Sequence, residues 1–194
     1  MHELDQLIFF ILGACDSYTR PGSVFHDQGV PVGEYISLLI DDVAKCFYFD
    51  RQNLDYEQAA ANCKTKFNGN GRLFEPKHNK ESDTSVYKRA QKINKNEAFW
   101  IGIRTQVHIQ NHGKSDFYYL SEGPSQSLNY NNGWDVSEPD DAGGNEDCVS
   151  VLRFFQPSWA DDDCDLKIFS ICEPNVEEGK KGHLYTVKSF QHWN

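Results

Sequence analysis

The chain has 194 residues, 39% of them hydrophobic and 13% aromatic, which suits one globular domain with extensions rather than two full domains. Its formal net charge is −10, and with no basic stripe to offset repulsion from phosphates this excludes a nucleic-acid partner. The same balance suits a cation, provided that the acids are clustered rather than spread.

Along the chain, an apolar run from Leu7 ends in the small residues Gly13 and Ala14. It is too short to cross a bilayer, which takes roughly 20 residues, so no membrane span is expected. It reads as the apolar part of a secretory signal peptide over residues 1–15, cleaved near Ala14, Cys15 or shortly after, although Glu3 and Asp5 stand where Lys or Arg is expected. A buried N-terminal strand is the alternative. Residues 16–45 form an N-terminal extension punctuated by Pro21, Gly22, Gly29, Pro31 and Gly33, in which 35–40 fits a short strand or a helical turn.

From Cys46 the pattern sharpens. The aromatic stretch 46–50 reads as a strand. Residues 55–66 read as a helix with acids early and lysines late, as the helix dipole prefers. Tyr56, Ala59, Ala60 and Cys63 share one face of it, which turns Cys63 inward. A short strand over 72–74 follows the turn at 68–71, and a second helix is expected over 82–93 with Val86, Ala90 and Ile93 as its buried stripe. The nearly continuous apolar run 98–103 suits a buried strand. Residues 106–139 should be mainly long loop, and such loops are usually functional or disulfide-anchored. Strands over 148–154 and 168–172 complete the pattern, and a polar tail occupies 174–194. This order of elements predicts an α+β fold with an antiparallel sheet.

Cysteines stand at 15, 46, 63, 148, 164 and 172, with no C-x-x-C pair, so zinc-ribbon and thioredoxin readings are weak. An even number of widely spaced cysteines fits a disulfide framework made in an oxidising compartment, but composition leaves the pairing open. The acids are indeed clustered. Glu138, Asp140, Asp141, Glu146 and Asp147 fall within ten residues, and Asp161, Asp162 and Asp163 follow Trp159-Ala160. A bridge from Cys148 to Cys164 would bring both segments side by side. Carboxylates that close repel unless they are protonated or share a cation, and hard oxygen ligands in a loop suit calcium, which takes about six to eight. Proline after Glu138 adds a bond that can be cis at low cost, re-aiming the flanking ligands.

These motifs, together with Arg72-Leu73-Phe74-Glu75-Pro76, Trp100-Ile101-Gly102-Ile103 and Trp159-Ala160-Asp161, resemble the C-type lectin-like domain over residues 46–173. The resemblance implies bridges Cys63–Cys172 and Cys148–Cys164, two helices flanking a double-looped antiparallel sheet, and Trp100 in the core. It also implies a main calcium site at Glu138, Asp140, Glu146 and Asp161. Sugar would be held there through Glu138, Asp140 and Glu146. Asp141 and Asp147 match part of the family's auxiliary calcium site, where Thr105 stands in place of an expected acid. Long-form members pair the position of Cys46 with a cysteine upstream. Here Cys15 is the remaining partner, and losing it would leave Cys46 free for an interchain bridge in a homo-oligomer.

Two motifs depart from the family. Mannose-type members usually read E-P-N and galactose-type members Q-P-D, whereas this chain reads Glu138-Pro139-Asp140; the usual W-N-D is Trp159-Ala160-Asp161. Asp140 and Ala160 therefore remove the amide donors that recognise a sugar diol. The loop between Asp140 and Glu146 has the mannose-type length and no aromatic, although Trp134 could approach from outside.

Other motifs carry less. His108 and His112 lack an H-E-x-x-H setting and read as surface histidines, and no G-x-S-x-G or P-loop is present. Trp100, Trp134 and Trp159 read as core and loop packing. The sequence thus points to a secreted, extracellular, calcium-dependent lectin that recognises glycans on cell or microbial surfaces, and not to an enzyme. The alternative is a protein-binding or matrix module on the same fold, with calcium only shaping the loops.

Overall fold

The computed structural model describes Cys15, Tyr18 and residues 32–40, 43–77, 80–94, 96–106, 112–128, 133–151 and 158–175. The apolar N-terminal run, most of the 16–45 extension, His108 and the tail beyond Asn175 lie outside the described residues.

Strand β1 (Gly33–Ile40) pairs antiparallel with β2 (Val43–Leu54) along its whole length, from Gly33 opposite Asp50 to Ile40 opposite Val43. The stretch that fitted either a strand or a helical turn is therefore a strand, and its last residue, Ile40, is fully buried in the core. The 46–50 strand extends beyond both expected ends, because pairing with β1 and β8 carries it on.

Helix α1 (Tyr56–Lys66) starts where the Asp55 carboxylate accepts from the Gln58 N–H at 2.9 Å, with Glu57 in its first turn and Lys64 and Lys66 in its last. Tyr56, Ala59 and Cys63 form its buried face, as their spacing predicts. After β3 (Gly71–Leu73), helix α2 (Lys80–Ile93) buries Val86 and Ala90 and packs Ile93 partly against the core. The remaining strands are β4 (Phe99–Thr105), β5 (Phe117–Tyr119), β6 (Cys148–Val151), β7 (Trp159–Asp162) and β8 (Ile168–Pro174).

Among the described residues, eight strands form one sheet in the order β1-β2-β8-β4-β6-β7, with β3 beside β8 and β5 beside β4. The pairs are antiparallel except β4 and β8, which run parallel where Phe99 meets Phe169. That pair makes the sheet mixed, a detail that local periodicity cannot reveal because it depends on which distant strand lies alongside. Residues 106–139, read as mainly loop, also hold a short 3-10 turn (Lys114–Asp116) and β5.

Among the described residues, two aromatic clusters fill the interior. One joins Phe47, Phe49, Phe74, Ile101, Phe117 and Trp159, and the other surrounds Trp100 with Tyr56, Cys63, Leu73 and Cys172. Trp100 is fully buried, and its Nε1 donates to the Leu54 carbonyl at 3.0 Å, so the ring gains burial without stranding its polar atom. Bridges Cys63–Cys172 and Cys148–Cys164 are present, and Cys15 pairs with Cys46, leaving no free cysteine.

Cys63 and Cys172 close a sequence separation of 109, against 16 for Cys148 and Cys164. Loop-closure entropy makes the first bridge worth about 4–5 kcal/mol and the second about 3 kcal/mol. Urea unfolding of the Cys63→Ala/Cys172→Ala and Cys148→Ala/Cys164→Ala variants should rank them in that order; the reverse ranking would mean that strain, not chain entropy, sets the effect.

Candidate metal centre

Strand β7 is the floor of the site. It pairs with β6 so that Asp161 lies opposite Val149 and Asp162 opposite Cys148, and the Cys148–Cys164 bridge ties the end of that ladder. Trp159 anchors the strand from below: it is fully buried and its indole N–H donates to the Tyr87 hydroxyl on α2 at 2.9 Å.

The loop carrying Glu138 is stitched onto the same strand. The Trp159 N–H donates to the Gly133 carbonyl at 2.7 Å, and the Asp135 N–H donates to the Trp159 carbonyl at 3.0 Å. Gly133 is required for this approach, since a Cβ there would lie 2.1 Å from the Trp159 ring. The Asp135 carboxylate then accepts from the Val136 N–H at 2.6 Å and the Ser158 hydroxyl at 3.1 Å, while its carbonyl accepts from the Glu138 N–H at 3.2 Å. This turn leaves Val136 wholly exposed beside Glu138. The Glu138–Pro139 bond is cis.

Asp161, only 2% exposed, organises the acids. Its Oδ1 accepts from the Asp140 N–H at 3.1 Å and its Oδ2 from the Asp141 N–H at 2.9 Å. Asp141 takes a left-handed conformation, φ 49°, which carboxamide and carboxylate side chains tolerate better than most. Glycines at 143 and 144, with φ of 83° and 76°, then return the chain to Glu146.

Glu138, Asp140 and Asp161 each present a carboxylate oxygen, and these oxygens lie within 4.8 Å of one another. Glu146, expected as a fourth ligand, has its Oε2 on the Ala142 N–H at 2.6 Å and does not join that group. Asp147 accepts from the Thr105 hydroxyl at 2.7 Å, and Asp141 Oδ1 accepts from the Glu146 N–H at 3.3 Å. The described residues therefore bring together three of the four acids expected as main ligands, while of the two expected at the auxiliary site Asp147 is bonded to Thr105 at the end of β4 and Asp141 to the Glu146 N–H. An all-oxygen set of this kind fits a hard divalent cation.

The sequence reading missed His112. It is buried rather than on the surface, with its Nε2 2.7 Å from the Glu146 carbonyl oxygen. Nothing in its polar neighbourhood signals burial; the one clue is the surplus of acceptors in the loop, which needs a donor or a cation somewhere. Trp134 is also a correction. It is buried beneath the loop between Phe117 and Trp159, at centroid distances of 4.8 and 5.8 Å, and so cannot reach a ligand from outside.

Electrostatics register the crowding. Burial pushes the Glu138 carboxyl up to about 8, reinforced by its hydrogen bond with Asp161 and the like charges of Asp140, Asp161 and Glu146. Burial likewise lifts Glu146 to about 7; the Ala142 N–H opposes the shift, and the charges of Asp161, Asp140 and Asp162 add to it. The site holds its acids in a shape that favours a shared positive charge.

An acidic site on a disulfide-stapled α+β scaffold of this topology defines a lectin-type binding module. Residues 52–174, more than half of the chain, match the Lectin C-type domain family, and the chain belongs to that family. It is a binding module and not an enzyme. Collectin-10 of Xenopus tropicalis is 31% identical over 131 residues, covering 66% of this chain and 42% of the relative. Collectin-10 of Gallus gallus is 30% identical over 131 residues, covering 66% and 41%. The chain thus spans about two fifths of the length of these curated relatives. Among solved structures, the cow C-type carbohydrate-recognition domain of CD23, studied in the presence of GlcNAc2Man3 oligosaccharide, superposes with TM-score 0.53 at 27% identity over 73% of this chain and 98% of that one. The calcium-free form of a calcium-dependent type II antifreeze protein superposes with TM-score 0.52 at 20% identity over 70% of this chain and 94% of that one, a likeness of fold alone.

Both raised carboxyls bind protons in the folded chain at pH values where the unfolded chain, with ordinary glutamates near 4.3, has released them. Metal-free stability should therefore fall as pH rises from about 5 to about 8. Melting curves in chelator should show this fall, and Glu138→Gln/Glu146→Gln should flatten it; an equal fall in the double variant would place its origin elsewhere.

Proposed function

We propose that this domain is a secreted calcium-dependent lectin whose ion is held by Glu138, Asp140 and Asp161, with Glu146 beside them. The observation that carries this reading is the convergence of three carboxylate oxygens within 4.8 Å on a loop pinned by backbone hydrogen bonds to Asp161. Such like-charged groups are held together at a cost that a bound cation offsets. Bound there, calcium would supply open coordination positions for two vicinal hydroxyls of a glycan. The carboxylates of Glu138 and Asp140 would accept the hydroxyl hydrogens, and the exposed Val136 side chain offers an apolar contact at the rim. Family membership and the oligosaccharide context of the CD23 domain support glycans on cell or microbial surfaces as the ligand class.

Three disulfides fit an oxidising, extracellular destination. A signal cleavage that keeps the Cys15–Cys46 bridge would fall before Cys15. With Cys46 paired, it is not available for an interchain bridge, so a homo-oligomer would have to rest on other contacts.

One observation favours a second reading, a calcium-shaped protein-binding or matrix module. Asp140 and Ala160 offer no amide N–H to a sugar diol, and Ala160 is buried at 4% exposure. Glycan arrays with and without chelator separate the two: chelator-sensitive glycan signals support the lectin, and calcium binding without any glycan signal supports the module.

Calcium at about a hundredfold excess over its Kd should raise the melting temperature by about 5–10 °C, since a ligand that binds only the native state adds about 2.7 kcal/mol. Asp161→Asn, which removes the organising carboxylate, should abolish that rise. An undiminished rise in Asp161→Asn would place calcium elsewhere on the chain.

A further inference from the structure

His112 lies where the loop's oxygens converge. Its side chain is fully buried, with the ring edge-on to Phe117 at a centroid distance of 4.8 Å. Three oxygens surround Nε2: the Glu146 carbonyl at 2.7 Å, Asp141 Oδ1 at 3.6 Å and Asp161 Oδ2 at 3.8 Å. A carbonyl oxygen can only accept, so Nε2 carries the hydrogen and donates to Glu146. Nδ1 is buried with no partner among the described residues, so the ring's polar contact is spent on this cage alone.

Asp141 Oδ1 and Asp161 Oδ2 each already accept one backbone N–H, from Glu146 and from Asp141, so without the ring two carboxylates and the Glu146 carbonyl would converge with only those backbone donors to offset them. Buried acceptors in that arrangement call for either a cation or an N–H. The nearby acids do not assemble a second cation group: among the described residues the only such group is Glu138, Asp140 and Asp161. Asp147 is instead held by the Thr105 hydroxyl at 2.7 Å. The ring also touches the first group through Asp161, whose Oδ2 faces Nε2 and accepts from the Asp141 N–H while its Oδ1 accepts from the Asp140 N–H.

We propose that the His112 N–H stands in for a second cation. It holds the 140–146 loop in register with Asp161, so that the domain takes one calcium per chain rather than two. His112 is thus a positioning residue for the Glu138, Asp140 and Asp161 group. The inference rests on the calcium reading above, and it adds the number of ions and the residue that sets it.

Calcium titration calorimetry on the full chain, paired with melting curves in chelator, tests this. Wild type should bind one calcium. His112→Gln, whose side-chain amide can place an N–H near the Nε2 position, should stay within about threefold of wild-type affinity, whereas His112→Ala should weaken it about tenfold, the loss expected of one buried hydrogen bond. His112→Asp, which exchanges the donor for a further acceptor, should take up a second calcium. Two ions in wild type, unchanged affinity in His112→Ala even if its chelator melting point drops, or a single site in folded His112→Asp would overturn the proposal while leaving the calcium reading intact. If His112→Asp does not fold, the Gln and Ala affinities decide. No calcium binding by wild type would overturn both.

Discussion

The β6–β7 ladder and the Cys148–Cys164 bridge force two acidic segments to share one corner of the domain. Asp161 stands on that ladder with both carboxylate oxygens taken by the N–H groups of Asp140 and Asp141. Those two hydrogen bonds hold the Glu138 loop against the like charges it carries. Remove the ladder and the acids would separate to relieve their repulsion. The site is therefore a consequence of tertiary pairing, and its chemistry of the strain that pairing sustains.

The aromatic interior makes this possible. Tyr87 on α2 accepts from the Trp159 indole, Trp159 packs on Trp134, and Trp134 packs on Phe117, which meets His112. This column runs from the second helix to the underside of the acidic loop. It keeps water away from the backbone of β7 and leaves the carboxylates of Glu138 and Asp140 toward solvent. A rigid floor under a partly exposed charge cluster is what a preformed ion site needs, because little ordering remains to oppose binding.

Much of this was legible in the residues. Tyr56, Ala59 and Cys63 at helical spacing after a capping Asp55 define α1, and the apolar run around Trp100 defines β4. The acid spacing and flanking cysteines, read with the family resemblance, pointed to the cluster. What stayed hidden depends on distant partners. Strand β1 lacks clean alternation because both its faces are partly covered, so only its pairing with β2 reveals it. The parallel contact of β4 with β8 has no local signature. His112 looked like a polar loop residue because the oxygens that enclose it come from residues 141, 146 and 161. Glu146 carries the right side chain, yet the Ala142 N–H draws it aside.

The central claim is that Glu138, Asp140 and Asp161 hold a calcium ion. Anomalous diffraction from crystals grown with calcium and exchanged into terbium tests it most directly. One anomalous peak bounded by these three carboxylates is the expected result. A crystal whose ordered ions all lie away from them would contradict it.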